Sequence, residues 1–153
     1  MSPTITDVIE RIQNQRVQLG ITLYPKASPE DIVAFEVIRQ IKLPDDFKTF
    51  YSFCNGFESE EDLFRIIPLH EIIEKGSCGY LEREKDFHFA EYMIYCDMWS
   101  ISINDKNKSY SIYNNNGKVA VLTNSLAEFL NIFLDGGVFD GLYKWQEEIK
   151  QSH

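Results

Sequence analysis

The feature that most constrains the fold is a change of hydrophobic period in the middle of the chain. Trp99, Ile101 and Ile103 alternate with Ser100, Ser102 and Asn104, and residues 110–113 and 119–122 flank Asn114-Asn115-Asn116-Gly117. An apolar residue at every second position gives an extended chain one face for a core and one for water. Asn-Gly tolerates the positive φ of a tight hairpin turn. The stretch therefore predicts antiparallel strands.

Helical spacing brackets these strands on both sides. Ile5, Val8, Ile9, Ile12 and Leu19 share one helical face over residues 4–19, with Thr4 and Asp7 placed as a capping box and Gly20 at the end. Ser28-Pro29-Glu30-Asp31 supplies an N-cap hydroxyl, a proline for the first turn and a carboxylate, which predicts a second helix to about Gln40. A third starts near Asp45 or Asp46, carries Phe47, Phe50, Tyr51 and Cys54 on one face, and stops at Asn55-Gly56. Residues 63–69 read as a short strand with Pro68 at its end or at a sheet edge, and residues 70–75 as one or two helical turns. Strand-like sequence begins at Phe87-His88-Phe89 and resumes at residues 93–95. Beyond the hairpin, Ser125 and Glu128 form an S-x-x-E box ahead of the stripe Leu126, Phe129, Leu130, Phe133 and Leu134, and Gly136-Gly137 ends that helix. A last helix from about Asp140 carries Leu142, Trp145 and Ile149. The expectation is an α+β fold: one domain over residues 1–153, with a central twisted antiparallel sheet and N-terminal and C-terminal helices packed mainly on one side.

With 44% hydrophobic and 14% aromatic residues, the 153-residue chain has enough apolar surface for a core without metal or disulfide staples. Cys54, Cys78 and Cys96 show no C-x-x-C spacing and read as free thiols. The first residues lack a basic start and an apolar stretch, and no apolar run approaches the roughly 20 residues that span a bilayer. A cytoplasmic protein is expected. No nucleotide-binding glycine loop, G-x-S-x-G elbow or H-E-x-x-H occurs, and His70, His88 and His153 are too sparse to specify a metal site. Neither a catalytic constellation nor a cofactor is assigned.

Charge locates a candidate surface. The net charge is −9, from 15 basic and 24 acidic residues, which disfavours nucleic acid and anionic membrane as direct partners. Residues 1–57 hold 7 acidic and 6 basic side chains, residues 58–105 hold 12 and 4, and residues 106–153 hold 5 and 5. The middle third thus carries a balance of −8. Glu58, Glu60, Glu61 and Asp62 follow the helix stop in what reads as a loop, and Glu82, Glu84, Asp86 and Glu91 surround the next strand. With Asp97, and with Tyr80, Tyr92, Tyr95 and Trp99 as candidate aromatic anchors, these acids are the expected partner-binding residues. Trp99 shares its phase with Ile101 and Ile103, which favours the core over an interface. A rival enzymatic reading would pair the Glu91 and Asp97 carboxylates in a small hydrolase.

Several segments in this order resemble the SUKH superfamily, the group that includes the Smi/Knr-type cell-wall regulators and Syd-like proteins. They are Leu43-Pro44-Asp45-Asp46-Phe47-Lys48-x-Phe50, Asn55-Gly56, Ile66-Ile67-Pro68-Leu69-x-Glu71-Ile72, Asp97-x-Trp99-x-Ile101-x-Ile103, the hairpin, and Ser125-x-Ala127-Glu128-Phe129-Leu130. Tyr95-Cys96-Asp97-Met98 departs from the glycine- and acid-rich approach to the central strand found in many members. The resemblance implies a non-catalytic binding protein. In bacteria it implies an immunity protein that neutralises a cognate toxin, often a nuclease, whose basic domain would meet the acidic segment. A regulatory interaction module unrelated to toxins is the alternative.

Overall fold

The computed structural model describes residues 2–116 and 119–152. The chain runs α1 (Ile5–Gln15), β1 (Ile21–Leu23), α2 (Pro29–Arg39), α3 (Asp45–Phe53), β2 (Phe57–Ser59), β3 (Phe64–Ile66) and α4 (Leu69–Lys75). It continues through β4 (Phe87–Tyr92), β5 (Asp97–Asn104), β6 (Ser109–Asn114), β7 (Ala120–Thr123), α5 (Leu126–Gly136), a π-helical turn (Gly137–Tyr143) and α6 (Lys144–Gln151). The strands form one antiparallel sheet in the order β1 to β7, the α+β arrangement expected.

Local chemistry explains the helix boundaries. In α1 the Thr4 hydroxyl accepts from the Asp7 amide at 3.1 Å while the Asp7 carboxylate accepts from the Thr4 amide at 3.2 Å. Ser28 and Asp31 repeat the exchange at α2, and Gln40 ends that helix in the left-handed conformation. Ser125 caps α5 through the Glu128 amide at 3.1 Å. α1 stops at Gln15, short of Leu19, and turns lead to Gly20 at φ 66°. Gly56 does more than stop α3. Its φ is 93°, and a Cβ there would collide with the Ile66 carbonyl oxygen, so the close passage of the β2 and β3 backbones requires glycine.

Register assigns the faces of the sheet. Phe57, Ile66, Ala90, Trp99 and Asn114 pair in a row across β2 to β6, and Phe64 pairs with Tyr92, itself opposite Asp97. These residues share the apolar face. A bulge between His88 and Ala90 adds Phe89 to that face, where its ring meets Phe47 and Phe129 edge-on. α1, α3 and α5 pack on one another over it, and Phe64 stacks on Phe133 of α5 with ring centres 4.2 Å apart. Trp99 is fully buried against Phe64 and Phe129, and its indole N–H donates to Gln146 of α6 at 2.5 Å. It is a core residue, as its phase indicated.

Three segments differ from the sequence reading. Residues 93–95 do not continue β4: Met93, Ile94 and Tyr95 have φ of 55°, 53° and 63° and form the turn into β5. Glu58 lies inside β2 and not in a loop. The strand read over residues 63–69 spans only Phe64–Ile66, and Pro68, past its end, sits at the N-cap of α4. The hairpin after β6 is confirmed by the β6–β7 pairing, while Gly117 of its turn lies outside the described residues, as does His153.

Candidate protein-interaction face

The opposite face of the sheet is polar. Thr22, Glu58, Arg65, Glu91 and Met98 pair in a row across β1 to β5, and His88, Ser100 and Tyr113 in a second across β4 to β6. Part of it is crossed by residues 76–86. The Tyr113 hydroxyl donates to Asp86 at 2.7 Å and accepts from the Glu82 amide at 3.0 Å. His88 lies 2.6 Å from the Ser100 hydroxyl and 2.5 Å from the Cys78 carbonyl oxygen. Burial holds its imidazole below the usual pKa of 6.5.

Arg65 organises the uncovered part. Its Nε donates to Glu91 at 2.7 Å, and both terminal nitrogens donate to Glu71, which projects from α4. Glu71 also accepts from the Tyr95 hydroxyl at 2.5 Å, and the second Glu91 oxygen accepts from the Tyr95 amide at 3.2 Å. The guanidinium hydrogen bonds hold the Glu71 carboxyl below its ordinary range, while burial raises the Tyr95 phenol. One cation is therefore saturated by two carboxylates. Among the described residues, the Glu58 carboxylate, next along the row, accepts only from the Tyr24 hydroxyl, at 3.1 Å.

Beyond the ends of β3 and β4, two turns stand side by side, joined by a hydrogen bond from the Met93 amide to the Leu63 carbonyl at 2.8 Å. Between them lies a groove of about 240 Å³ lined by Glu58, Ser59, Glu60, Leu63, Phe64, Arg65, Glu91, Met93 and Ile94. Leu63 is 54% exposed, Met93 47% and Ile94 89%. All three have positive φ, a region that bulky side chains seldom occupy and β-branched isoleucine least of all.

The expected partner-binding residues separate sharply in this structure. Glu60, Glu61, Glu82 and Glu84 are exposed, and Glu58 is half-buried at the groove. Asp86, Glu91 and Asp97 are buried, at 2%, 3% and 6% exposure, and their oxygens are taken up internally. Asp97 accepts twice from the Asn114 amide at 3.0 Å and once from the Tyr143 hydroxyl at 2.6 Å. These three acids are corrected from surface contacts to interior anchors: Glu91 is paired with Arg65, and Asp86 and Asp97 are held by hydrogen bonds from Tyr113 and the Arg83 amide and from Asn114 and Tyr143. Asp62, half-buried, accepts from the Val138 amide at 3.3 Å and ties the β2–β3 turn to the π-helical turn.

The two tyrosines also part company. Tyr95 joins the Arg65 network, whereas Tyr92 packs edge-on against Phe139 and Tyr143 on the apolar side. Glu91 and Asp97 occupy opposite faces of the sheet, so the paired-carboxylate hydrolase reading is withdrawn. The exposed acids form two groups. Glu82 sits over β6, three strands from β3, or about 14 Å at ordinary strand spacing. Leu63, Met93 and Ile94 escaped sequence reasoning because an isolated exposed aliphatic has no signature. A run of left-handed residues without glycine or asparagine has none either.

Among the described residues, no helix is long and apolar enough to cross a membrane, and no three His, Cys, Asp or Glu side chains converge as a metal site. No curated protein matches the chain significantly. A family model described as the SMI1 / KNR4 family (SUKH-1) matches residues 26–132, from the turn before α2 to the middle of α5, and the chain belongs to that family.

Proposed function

We propose that this chain is an immunity protein of the cytoplasm that binds a cognate toxin, most simply a nuclease with a basic domain, and neutralises it stoichiometrically and without catalysis. Family membership supports a protein-interaction role. The observation that carries the finer reading is the state of the surface acids. Among the described residues, Glu58, Glu60, Glu61, Glu82 and Glu84 make no salt bridge, whereas the buried Glu91 is paired with Arg65. Exposed Arg83 and Lys85 alternate with Glu82 and Glu84, so the charge of one sign is that of Glu58, Glu60 and Glu61; such charge speeds encounter with an oppositely charged protein in a salt-dependent way, and buried contacts then set its lifetime. Co-expression with the product of the adjacent reading frame tests this. The expected result is a co-purifying pair and suppressed toxicity; a complex with a non-toxic protein would instead favour the regulatory module, and no complex or rescue would overturn the proposal.

A further inference from the structure

We propose that the groove between the β2–β3 and β4–β5 turns is a socket for one long basic side chain, lysine or arginine, projecting from the bound protein. This deepens the binding reading above and rests on it. Arg65 contributes to the lining, and Leu63, Met93 and Ile94 offer aliphatic surface at the solvent edge. The volume of about 240 Å³ is below the 300 Å³ or so where small-molecule pockets usually begin. It suits a single side chain.

Charge selects which side chain. The groove contains Glu58, Glu60 and Glu91 against one cation, Arg65, whose nitrogens are already committed to Glu91 and Glu71. An anionic group would meet uncompensated carboxylates. A purely apolar one would cover the aliphatic edge but strip water from the half-buried Glu58 without replacing its hydrogen bonds. Lysine and arginine match both features, because their methylene stems cover apolar surface while the charged head stays with acids and water. The stem lies along Leu63, Met93 and Ile94, and the head meets Glu58 and Glu60.

Two measurements test the socket. In an NMR titration of the ¹⁵N-labelled chain, N-acetyl-arginine amide and N-acetyl-lysine amide should each saturate with Kd on the order of 10 mM. Shifts should concentrate at residues 58–65 and 91–95, and N-acetyl-norleucine amide should produce none. Shifts of equal size around Glu82 and Glu84, or none that saturate, would overturn the proposal. With the co-purified partner, Ile94→Ser and Glu60→Gln should each weaken affinity about tenfold or more, and Glu84→Gln less than about twofold. Ile94 is 89% exposed, so its replacement leaves folding intact. A wild-type complex indifferent to both groove variants overturns the socket and leaves the binding reading standing. If the wild type forms no complex, the binding reading fails, and the arginine titration still decides the socket.

Discussion

At the scale of single residues, the polar face depends on Arg65. It is the cation that neutralises Glu91, which is 3% exposed, and Glu71 beside it. Arg65→Met leaves a buried carboxylate without its partner, so unfolding in urea should show a loss of about 3 kcal/mol. Replacing Glu91 by leucine in the same chain should recover part of it. The pair also carries a pH signature. Glu71 has a folded pKa below the ordinary 4.5, so its stabilisation is complete above that value and is lost as pH falls through the depressed one. Arg65→Met should therefore flatten the acid side of the stability curve. Ile94 presents the opposite case. Its side chain is 89% exposed while its φ is 53°, so its conformation costs stability with no burial to offset it. Ile94→Gly should stabilise the chain by about 1 kcal/mol in the same assay while weakening partner binding. A loss of stability in this variant would contradict the strained-display account.

At the scale of elements, what the sequence revealed depended on how far each signal extends. The helices from Thr4 and Ser125 were legible from a cap and an apolar stripe together, the one from Ser28 from its capping residues, and the one from Asp45 from the stripe Phe47, Phe50, Tyr51 and Cys54. β5 was legible from six alternating positions, Trp99 to Asn104, and β6 from the hairpin signal that follows residues 110–113. β1 and β2, at three residues each, are too short to show a period, and they form because neighbouring strands supply hydrogen-bond partners. The β2–β3 pairing is secured at Gly56, whose α carbon lies against the β3 backbone. Gly56→Ala should cost about 2–3 kcal/mol in thermal or urea unfolding, far above the cost at an exposed loop glycine. Residues 93–95 read as strand because Met, Ile and Tyr favour it, yet β4 ends there, beside the start of β3, and the chain must reverse. Tyr95 meets the network through its amide and hydroxyl, which holds the left-handed turn in place.

At the scale of the whole molecule, the net charge of −9 resolves into two populations. Asp86, Glu91 and Asp97 hold the interior together, and the exposed acids flank the polar face from two sides. The sequence could locate the acidic third of the chain but not divide it, since burial depends on strand register and on residues 76–86 crossing over β4 to β6. The candidate site was accordingly legible in its charge and invisible in its apolar anchors. The most direct test is a titration of the purified toxin activity with increasing amounts of this chain. Stoichiometric neutralisation predicts that activity falls linearly and vanishes at a fixed molar ratio of chain to toxin, with an association rate that drops steeply as salt rises. Full protection at a small fraction of that amount, continuing with time, would mean turnover and would contradict the account.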